Sequence, residues 1–358
     1  MTAQRFSWRA SPPARRGLGV LGLIVSALFA FGATSSAAPR PFAGVACEKP
    51  PPAFCAATGC PQGFLDNPGN AVDAKTGRRF FLDFPCDLKP GEKVVFILNL
   101  HGHGSSGAWV RNYFPATNSV SKYRLVVATP TAGNAQHDWA LADNEHLQNI
   151  ADQVIGEVGP QSIKAFWLAG HSLGGAYVNK IGCNDYFKGR VDGWLSLSGG
   201  RIGKISPSPD IFRSASAAAG SPPPPVKIPP GAGGVDTPPA CDFSFIFETG
   251  DQEIVGLPST SPWADKYGCA PRIRERDVVD AKPGLIDHVR EGAPNAALGR
   301  KARPGVAQVM IYPKCRDGRV VADVVRLDKG HTEGLEPLVT ERLIGMIAAA
   351  PGGKLRVK

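Results

Sequence analysis

Short, continuous runs of hydrophobic residues recur along the chain, and each is long enough for one buried strand. The clearest are KVVFILNL at 93–100, RLVVAT at 124–129 and KAFWLA at 164–169. Such runs are typical of strands that are buried on both faces of a parallel sheet. Hydrophobic and β-branched residues predict further strands over these ranges: 79–84, 191–197, 243–247, 306–312 and 320–327.

Helical patterns separate several of these strands. Residues 144–158 place four aliphatic side chains on one stripe, and helices are also expected from Ala176 onward and over 336–349. The alternation of strands and helices predicts an α/β fold with a doubly wound, mostly parallel sheet. A chain of 358 residues is long enough for one large domain of this class.

The N-terminus carries a different pattern. Four arginines precede an apolar run over 18–31, and small residues then extend to Ala38. This order is typical of a cleaved secretory signal, and the run is shorter than the about 20 residues of a membrane-spanning helix. We therefore expect residues 1–38 to be a signal peptide and 39–358 to be a single periplasmic or secreted domain without a stable membrane anchor. An uncleaved anchor and a twin-arginine signal at Arg15-Arg16 remain open alternatives.

Composition adds two irregular segments to this picture. Glycine and proline together number 75 of 358 residues, which is above the usual share and predicts long loops. Residues 39–90 hold four cysteines and predict a disulfide-rich N-terminal segment. Residues 201–240 include a proline-rich stretch, which predicts an exposed insertion. Whether residues 221–240 act as a lid is left open.

Cysteine count and charge narrow the classes of function. An even number of cysteines in an exported chain favours disulfides over a structural zinc site. The eight cysteines are Cys47, Cys55, Cys60, Cys86, Cys183, Cys241, Cys269 and Cys315. Four of the 40 basic residues lie in the signal and none of the 31 acidic ones does, which leaves the mature chain at +5. This small excess argues against a nucleic-acid partner.

A nucleophile motif stands where the strand at 164–169 meets the next helix. Residues 170–174 read Gly-His-Ser-Leu-Gly, the G-x-S-x-G pattern of a strained turn that exposes a serine hydroxyl. The glycines are needed because the flanking chains approach closely at this turn. Ser172 is therefore the predicted nucleophile, and the backbone amide of Leu173 is a predicted oxyanion-hole donor.

A second glycine-rich turn, His-Gly-His-Gly at 101–104, follows the strand at 93–100. On its own it would indicate no more than a loop with a surface histidine. Beside the G-x-S-x-G motif, an HG turn at this place supplies the second oxyanion-hole donor. That donor would be the backbone amide of His103.

The remaining two catalytic groups are expected after later strands. Asp251 lies in the turn after the strand at 243–247 and is the predicted acid, with Glu248 and Glu253 as competitors. His331 follows the strand at 320–327 and is the predicted base. Serine, acid and histidine then occur in the chain order of α/β-hydrolases, and their chemistry needs no cofactor or metal. Three other histidines are expected at the surface: His137, His146 and His288.

On these residues the chain resembles the polyhydroxybutyrate depolymerase and feruloyl esterase-like branch of the α/β-hydrolases. The resemblance runs from about Arg79 to the end of the chain. Its marks are Leu-His-Gly at 100–102, the motif at 170–175, Trp263, Gly268-Cys269, Cys315 and Gly-His-Thr at 330–332. In that branch this last triplet is usually followed by Trp-Pro, whereas this chain has Glu333-Gly334 there. The resemblance therefore does not indicate which residues line the substrate on that side.

Within that branch the chain is most similar to the oxidised polyvinyl alcohol hydrolases. The Cys-rich N-terminal segment and the Leu-His-Gly-His-Gly loop carry this narrower resemblance. It implies hydrolysis of a β-diketone carbon–carbon bond to a carboxylic acid and a methyl ketone, with esters also cleaved. A carboxylesterase, a polyester (polyhydroxyalkanoate) depolymerase or a feruloyl-type esterase is the first alternative. A non-catalytic polymer-binding protein on a hydrolase scaffold is the second.

The expected partner is a polymer or ester substrate. Four aromatic residues are candidate walls for such a chain and are equally open to a packing role: Tyr113, Phe114, Trp139 and Trp263. The sequence leaves the oligomeric state open, and a monomer is the working expectation.

Topology also suggests which cysteines pair. The helix after Ser172 runs away from the catalytic edge of the sheet, so Cys183 is expected near the opposite edge. Cys241 precedes the strand that rises towards the catalytic edge and therefore starts at that same opposite edge. We expect a Cys183–Cys241 disulfide and a Cys269–Cys315 disulfide, with the four N-terminal cysteines pairing among themselves.

Overall fold

A mixed sheet of eleven strands runs through the part of the chain described by the structure, which is a computed structural model. The described residues are 41–47, 68–200, 238–253, 257, 259–286 and 298–356. The expected signal peptide at 1–38, Cys55, Cys60, His288 and most of the expected insertion at 201–240 lie outside them. The described residues belong to one compact unit, Pro39–Lys358.

The strands are short, and five of the eleven are fully buried. They are β1 Ala71–Val72, β2 Arg79–Asp83, β3 Val94–Leu100, β4 Leu125–Pro130, β5 Ile163–His171, β6 Gly193–Leu197, β7 Ser244–Gly250, β8 Ile273–Arg274, β9 Val278–Asp280, β10 Gly305–Ile311 and β11 Val321–Arg326. Every residue of β3, β4, β6, β7 and β11 is buried. This burial explains why their sequences are nearly continuous hydrophobic runs.

Six strands form a parallel centre, in the order β4-β3-β5-β6-β7-β11. Antiparallel strands flank it, with β2 and β1 beyond β4, and with β10 and then β8 and β9 beyond β11. Because the central strands are parallel, their carboxyl ends lie along one edge of the sheet. The chain segments that follow β3, β5, β7 and β11 are thereby brought together.

Helices cover both faces of this sheet. They are α1 Gly107–Tyr113, α2 Val120–Tyr123, α3 Asn144–Val158, α4 Leu173–Ile181, α5 Pro262–Lys266 and α6 Pro337–Ala349. Phe96 and Leu98 of β3 share a hydrophobic cluster with residues of α3 and α4. Val95 and Ile97, which alternate with them, share a second cluster with residues of α1 and α6. The predicted α/β fold with a doubly wound, mostly parallel sheet is confirmed.

Disulfides join distant segments of the described chain. Cys183 bonds to Cys241 and Cys269 bonds to Cys315, and these are the two pairs that the topology predicts. Cys47 bonds to Cys86 and ties the N-terminal segment to the loop after β2. Within the described residues, no helix combines the length and apolar character that crossing a bilayer requires.

Candidate active site

Ser172 occupies a sharp turn between β5, which ends at His171, and α4, which begins at Leu173. Its backbone is in a left-handed region, with φ 51° and ψ −119°. Such a conformation costs of order 1–3 kcal/mol in a residue other than glycine, so the surrounding packing has to enforce it. A Cβ at Gly170 would lie 2.4 Å from the backbone of Gly174, which leaves no room for a side chain there.

His331 lies in the loop after β11 and contacts Ser172. Its Nε2 atom is 2.8 Å from Ser172 Oγ, and its Nδ1 atom is 2.6 Å from Glu253 Oε2. Nδ1 therefore carries a proton and donates it to the carboxylate, while Nε2 is free to accept from the serine hydroxyl. The structure therefore joins the predicted serine and histidine to a carboxylate through two successive hydrogen bonds of one imidazole.

The prediction of Asp251 as the acid is wrong, because Glu253 occupies that position. Strand β7 continues to Gly250, three residues beyond its predicted end, so the turn comes later than expected. The backbone amide of Asp251 donates to Arg326 O at 3.0 Å, and its carboxylate accepts from Gln252 at 3.1 Å. Glu253 donates its own amide to Gly250 O at 3.1 Å, and its longer side chain reaches His331 from this turn.

Glu253 is buried and well supplied with hydrogen bonds. Its Oε1 accepts from the Gly250 amide at 2.7 Å and from the Ser198 hydroxyl at 2.8 Å. Burial alone would raise its pKa, but the charge of His331 and these hydrogen bonds hold the pKa below its usual value. Glu253 is therefore an anion that can stabilise a positively charged His331.

The loop at 101–104 lies against Ser172. A Cβ at Gly102 would be 3.1 Å from Ser172 Cβ, so the backbone of Gly102 contacts the serine directly. The Nδ1–H of His101 donates to Gly102 O at 2.7 Å, and its Nε2 accepts from the Ala132 amide at 2.9 Å. This fixes the peptide plane between residues 102 and 103, and with it the direction of the His103 amide.

His101 has to be neutral for this arrangement, because one ring nitrogen donates and the other accepts. Burial lowers its pKa to about 4, which keeps the ring neutral near pH 7. The indole of Trp139 donates to His101 O at 2.8 Å and holds the same loop from another side. Trp139 is therefore a buried support of the loop, which differs from the substrate wall that the sequence suggested.

The two predicted oxyanion-hole residues differ in surroundings. Leu173 is the first residue of α4, where the amide has no acceptor within the helix. The side chain of His103 is 75% exposed and pairs with Asp138 at 2.6 Å, while its backbone follows Gly102. Both backbones adjoin Ser172, one along the chain and one through the contact of Gly102.

His171 is a buried residue that the sequence did not single out. Its Nε2–H donates to His331 O at 2.8 Å, and its ring packs against that of Tyr113 at an angle of 47°, with centroids 4.2 Å apart. Burial lowers its pKa well below the usual value, so it is neutral. It fixes the backbone of His331 through a hydrogen bond that does not depend on pH near neutrality.

The other aromatic residues offered as substrate walls also lie in the core. Trp263 is 0% exposed and stacks on Phe245, with ring centroids 4.8 Å apart. Phe114 is buried in the hydrophobic cluster on the opposite face of the sheet, and the hydroxyl of Tyr113 accepts from Arg326 at 3.2 Å. These side chains fill the space between helices and sheet, so none of them presents a face to a ligand.

The prediction that His146 lies at the surface is also wrong. His146 is fully buried on α3, and its Nδ1 lies 2.9 Å from Asp73 Oδ2. Asn149 donates to the same oxygen at 3.2 Å. The partner of this histidine is 73 residues away in the chain, so no local signal marked the position as buried.

Within the described residues, no cluster of three or more His, Cys, Asp or Glu is arranged to hold a metal ion. The reactive groups that the structure brings together at this site are the serine hydroxyl, the imidazole and the carboxylate. A hydroxyl beside an imidazole that is itself held by a carboxylate is the arrangement of an activated nucleophile. The nearby amides at residues 103 and 173 would face the developing charge on an attacked carbonyl.

No family model matches this chain, and no curated protein does so either. Among solved structures it is similar to an acetyl xylan esterase from Aspergillus awamori, with 12% identity over 75% of this chain and 94% of that one and a TM-score of 0.42. An esterase from Thermogutta terrifontis with propionate bound shows 16% identity, coverage of 50% and 70%, and a TM-score of 0.32. A serine hydrolase without lid from Xanthomonas campestris shows 14% identity, coverage of 50% and 69%, and a TM-score of 0.28.

Proposed function

We propose that this protein is a serine hydrolase with Ser172, His331 and Glu253 as its catalytic triad. The observation that carries the proposal is the pair of short contacts made by one imidazole, 2.8 Å to Ser172 Oγ and 2.6 Å to Glu253 Oε2. The strained backbone of Ser172 supports it, because strain of this kind persists where a function or the packing requires it.

The reaction proceeds in two stages. His331 Nε2 removes the proton of Ser172 as Oγ attacks a substrate carbonyl, and Glu253 stabilises the imidazolium that forms. The amides of His103 and Leu173 bind the oxyanion of the tetrahedral intermediate. The leaving group takes the proton from His331, and water activated by the same imidazole then hydrolyses the acyl-enzyme.

The substrate that we propose is a β-diketone unit of oxidised polyvinyl alcohol. After Ser172 attacks one carbonyl, the adjacent carbon–carbon bond can break because the second carbonyl accepts the electron pair as an enolate. Protonation of this enolate by His331 gives a methyl ketone, and hydrolysis of the acyl-enzyme gives a carboxylic acid. The support for this substrate is the resemblance carried by the loop at 100–104 and the Cys-rich N-terminal segment.

An exported location accords with this substrate, since a polymer cannot enter a cell intact. The disulfides Cys47–Cys86, Cys183–Cys241 and Cys269–Cys315 support export, because such bonds persist in oxidising compartments. The signal-like pattern of residues 1–38 supports it independently.

An ester is the alternative substrate, and the same triad would cleave it with an alkoxide as the leaving group. Steady-state rates of the purified protein on a small β-diketone and on p-nitrophenyl esters separate the two, with Ser172→Ala as the control. Diketone turnover that disappears in the alanine variant supports the proposal. Ester turnover without measurable diketone turnover favours the alternative that the protein is an esterase.

Covalent labelling distinguishes the two enzymatic hypotheses, a diketone hydrolase and an esterase, from a non-catalytic polymer-binding protein. A fluorophosphonate should label Ser172 in the wild-type protein and leave Ser172→Ala unlabelled. A folded wild-type protein that neither labels nor turns over any of these substrates would overturn the proposed triad.

A further inference from the structure

The loop that carries His331 contains an inward-facing carboxylate, Glu333. The side chain of Glu333 is 1% exposed, although it lies only two residues after the imidazole that contacts Ser172. The resemblance to esterases left this position open as part of a substrate wall. A buried carboxylate cannot be such a wall, so its contacts indicate another role.

One oxygen of Glu333 accepts from three groups. Its Oε1 accepts from the Gly330 amide at 3.2 Å, from the Arg300 amide at 3.1 Å and from Arg303 Nη2 at 3.3 Å. The first of these groups belongs to Gly330, the residue directly before His331. The other two belong to the segment before β10, so this oxygen joins the histidine loop to a separate part of the chain.

The other oxygen of Glu333 faces a buried lysine. Its Oε2 lies 3.5 Å from Lys329 Nζ, which also pairs with Glu336 Oε1 at 2.7 Å. Lys329 donates in addition to Arg303 O at 2.5 Å. Buried ion pairs add little net stability, but loss of one partner leaves an uncompensated charge and is costly. Such a cluster fixes one arrangement of the loop rather than making it more stable.

His331 is consequently held on both sides of its backbone. Glu333 binds the amide of Gly330 before it, and His171 Nε2–H binds the carbonyl of His331 itself. Thr332, directly after it, donates its amide to Leu298 O at 2.8 Å. The backbone on either side of His331 is therefore fixed, which leaves only its side-chain torsions to place the imidazole.

The same loop also touches the turn that carries Glu253. The Gln252 amide donates to Lys329 O at 3.1 Å, and a Cβ at Gly250 would lie 2.1 Å from that oxygen. A shift of the loop at residue 329 would therefore displace the carboxylate as well as the imidazole. Both partners in the contact between Glu253 and His331 depend on one backbone segment.

We propose that Glu333 is a positioning residue, which sets the backbone of His331 so that its imidazole lies between Ser172 and Glu253. The inference rests on the proposed serine hydrolase function and adds a residue that acts through His331 without contacting the substrate. The Glu333 side chain acts by accepting the Gly330 amide while its charge is balanced by Lys329 and Arg303.

Glu333→Gln tests the role of the charge, because glutamine has nearly the same shape. Its NH₂ group would face either the donors around Oε1 or Lys329, so one set of contacts is lost. We expect kcat on a p-nitrophenyl ester to fall by about 10- to 100-fold with little change in KM, since a displacement of about 1 Å can cost that much. Glu341→Gln is the matched control, because Glu341 is paired with Lys122 on the more exposed side of α6. The control should keep the wild-type kcat.

Glu333→Asp separates reach from charge. Aspartate keeps the negative charge beside Lys329 but is one methylene shorter, so it cannot hold the Gly330 amide in the same place. We expect a lower kcat at a melting temperature closer to that of the wild type than in Glu333→Gln. This variant also decides the question if Glu333→Gln fails to fold.

A spectroscopic readout does not depend on turnover. The Nδ1 proton between His331 and Glu253 should give a low-field proton resonance, which is assigned by its absence in Glu253→Gln. In Glu333→Gln or Glu333→Asp this resonance should shift or broaden. Wild-type kcat together with an unchanged resonance in the folded variants would overturn the inference. A wild-type protein that shows the resonance but no hydrolysis and no labelling of Ser172 would instead overturn the proposed function.

Discussion

The carboxylate of Glu253 lies 2.6 Å from the imidazole of His331, whereas the carboxylate of Asp251 turns to the side chain of Gln252. The two acids are separated by one residue, and the difference arises from the turn between them. Strand β7 extends to Gly250, so Asp251 still follows the strand direction and Glu253 is the first acid that can fold back. The acid of the site is thus determined by where the strand ends.

The first prediction concerns these two carboxylates. Glu253→Gln should lower kcat by about 10³- to 10⁴-fold, because an amide at this place cannot stabilise the imidazolium and favours the wrong tautomer of His331. Asp251→Asn should leave kcat close to that of the wild type. Ester hydrolysis by both purified variants checks this. A larger loss in Asp251→Asn than in Glu253→Gln would contradict the assignment.

The second prediction concerns the contact between Gly102 and Ser172. An alanine Cβ at residue 102 would lie 2.9 Å from His171 Nδ1 and 3.1 Å from Ser172 Cβ, so the loop would have to move away from the serine. We expect Gly102→Ala to lower kcat by about 10²-fold, as displacement of an oxyanion donor does. Gly156→Ala in α3 is the control, because that position has open space. It should keep full activity and gain about 1 kcal/mol of stability. Equal activity in the two variants would count against the role of the loop.

The third prediction concerns pH and the neutral state of His101. Its pKa is about 4 in the folded protein, against about 6.5 in an unfolded chain, so the unfolded state binds the proton at higher pH. The free energy of unfolding should therefore decrease as pH falls from about 6.5 to about 4, by up to about 1.4 kcal/mol per pH unit for this group.

His101→Gln isolates this contribution of His101, which overlaps with those of His171 and His146, whose pKa values burial also lowers. Urea unfolding of the wild type and the variant across this range should give a shallower pH dependence in the variant. Measurements at pH 8, where the group is neutral in both states, supply the constant cost of the lost contacts. Parallel pH curves for the two proteins would show that His101 does not titrate on unfolding.

The fourth prediction concerns Trp263, which the sequence offered as a candidate substrate-binding residue and which the structure places in the core. Trp263→Leu should lower the free energy of unfolding by roughly 2–4 kcal/mol, because it leaves a cavity beside Phe245. The KM values for esters of different chain length should stay close to those of the wild type. A selective rise in KM for long substrates at unchanged stability would restore the substrate role.

Local signals account for the parts of the fold and site that the sequence predicted. The strand at 93–100 is Val94–Leu100 in the structure, and the helix at 144–158 has the same bounds. The nucleophile turn was recognisable because its glycines and serine are adjacent in the chain. His331 was recognisable because it follows the last long strand of the chain in a glycine-containing loop.

Contacts between distant segments account for the parts that the sequence missed. The acid depends on Gly250 lying against Lys329 O, which joins two loops about 80 residues apart. His146 is buried because its imidazole bonds to the distant Asp73. Trp263 is buried because Trp194 of β6 and Phe245 of β7 pack against its ring. The helix α1 was not predicted from the sequence. Although Ser106 caps its N-terminus, its seven residues are too few to show a helical periodicity of hydrophobic positions. The glycine at 250 argues against Glu248, which precedes this close approach, but it does not distinguish Asp251 from Glu253, because both follow it.

The Cys183–Cys241 bond encloses the proline-rich stretch of the chain between its two ends. Ser172 precedes this enclosed segment, while Glu253 and His331 follow it. A protease that cut anywhere between residues 201 and 237 would therefore give two fragments that stay covalently attached under non-reducing conditions. Ser172 would remain covalently linked to Glu253 and His331 through this disulfide. The stretch between them can therefore change in length or be cleaved without releasing the nucleophile from its acid and base.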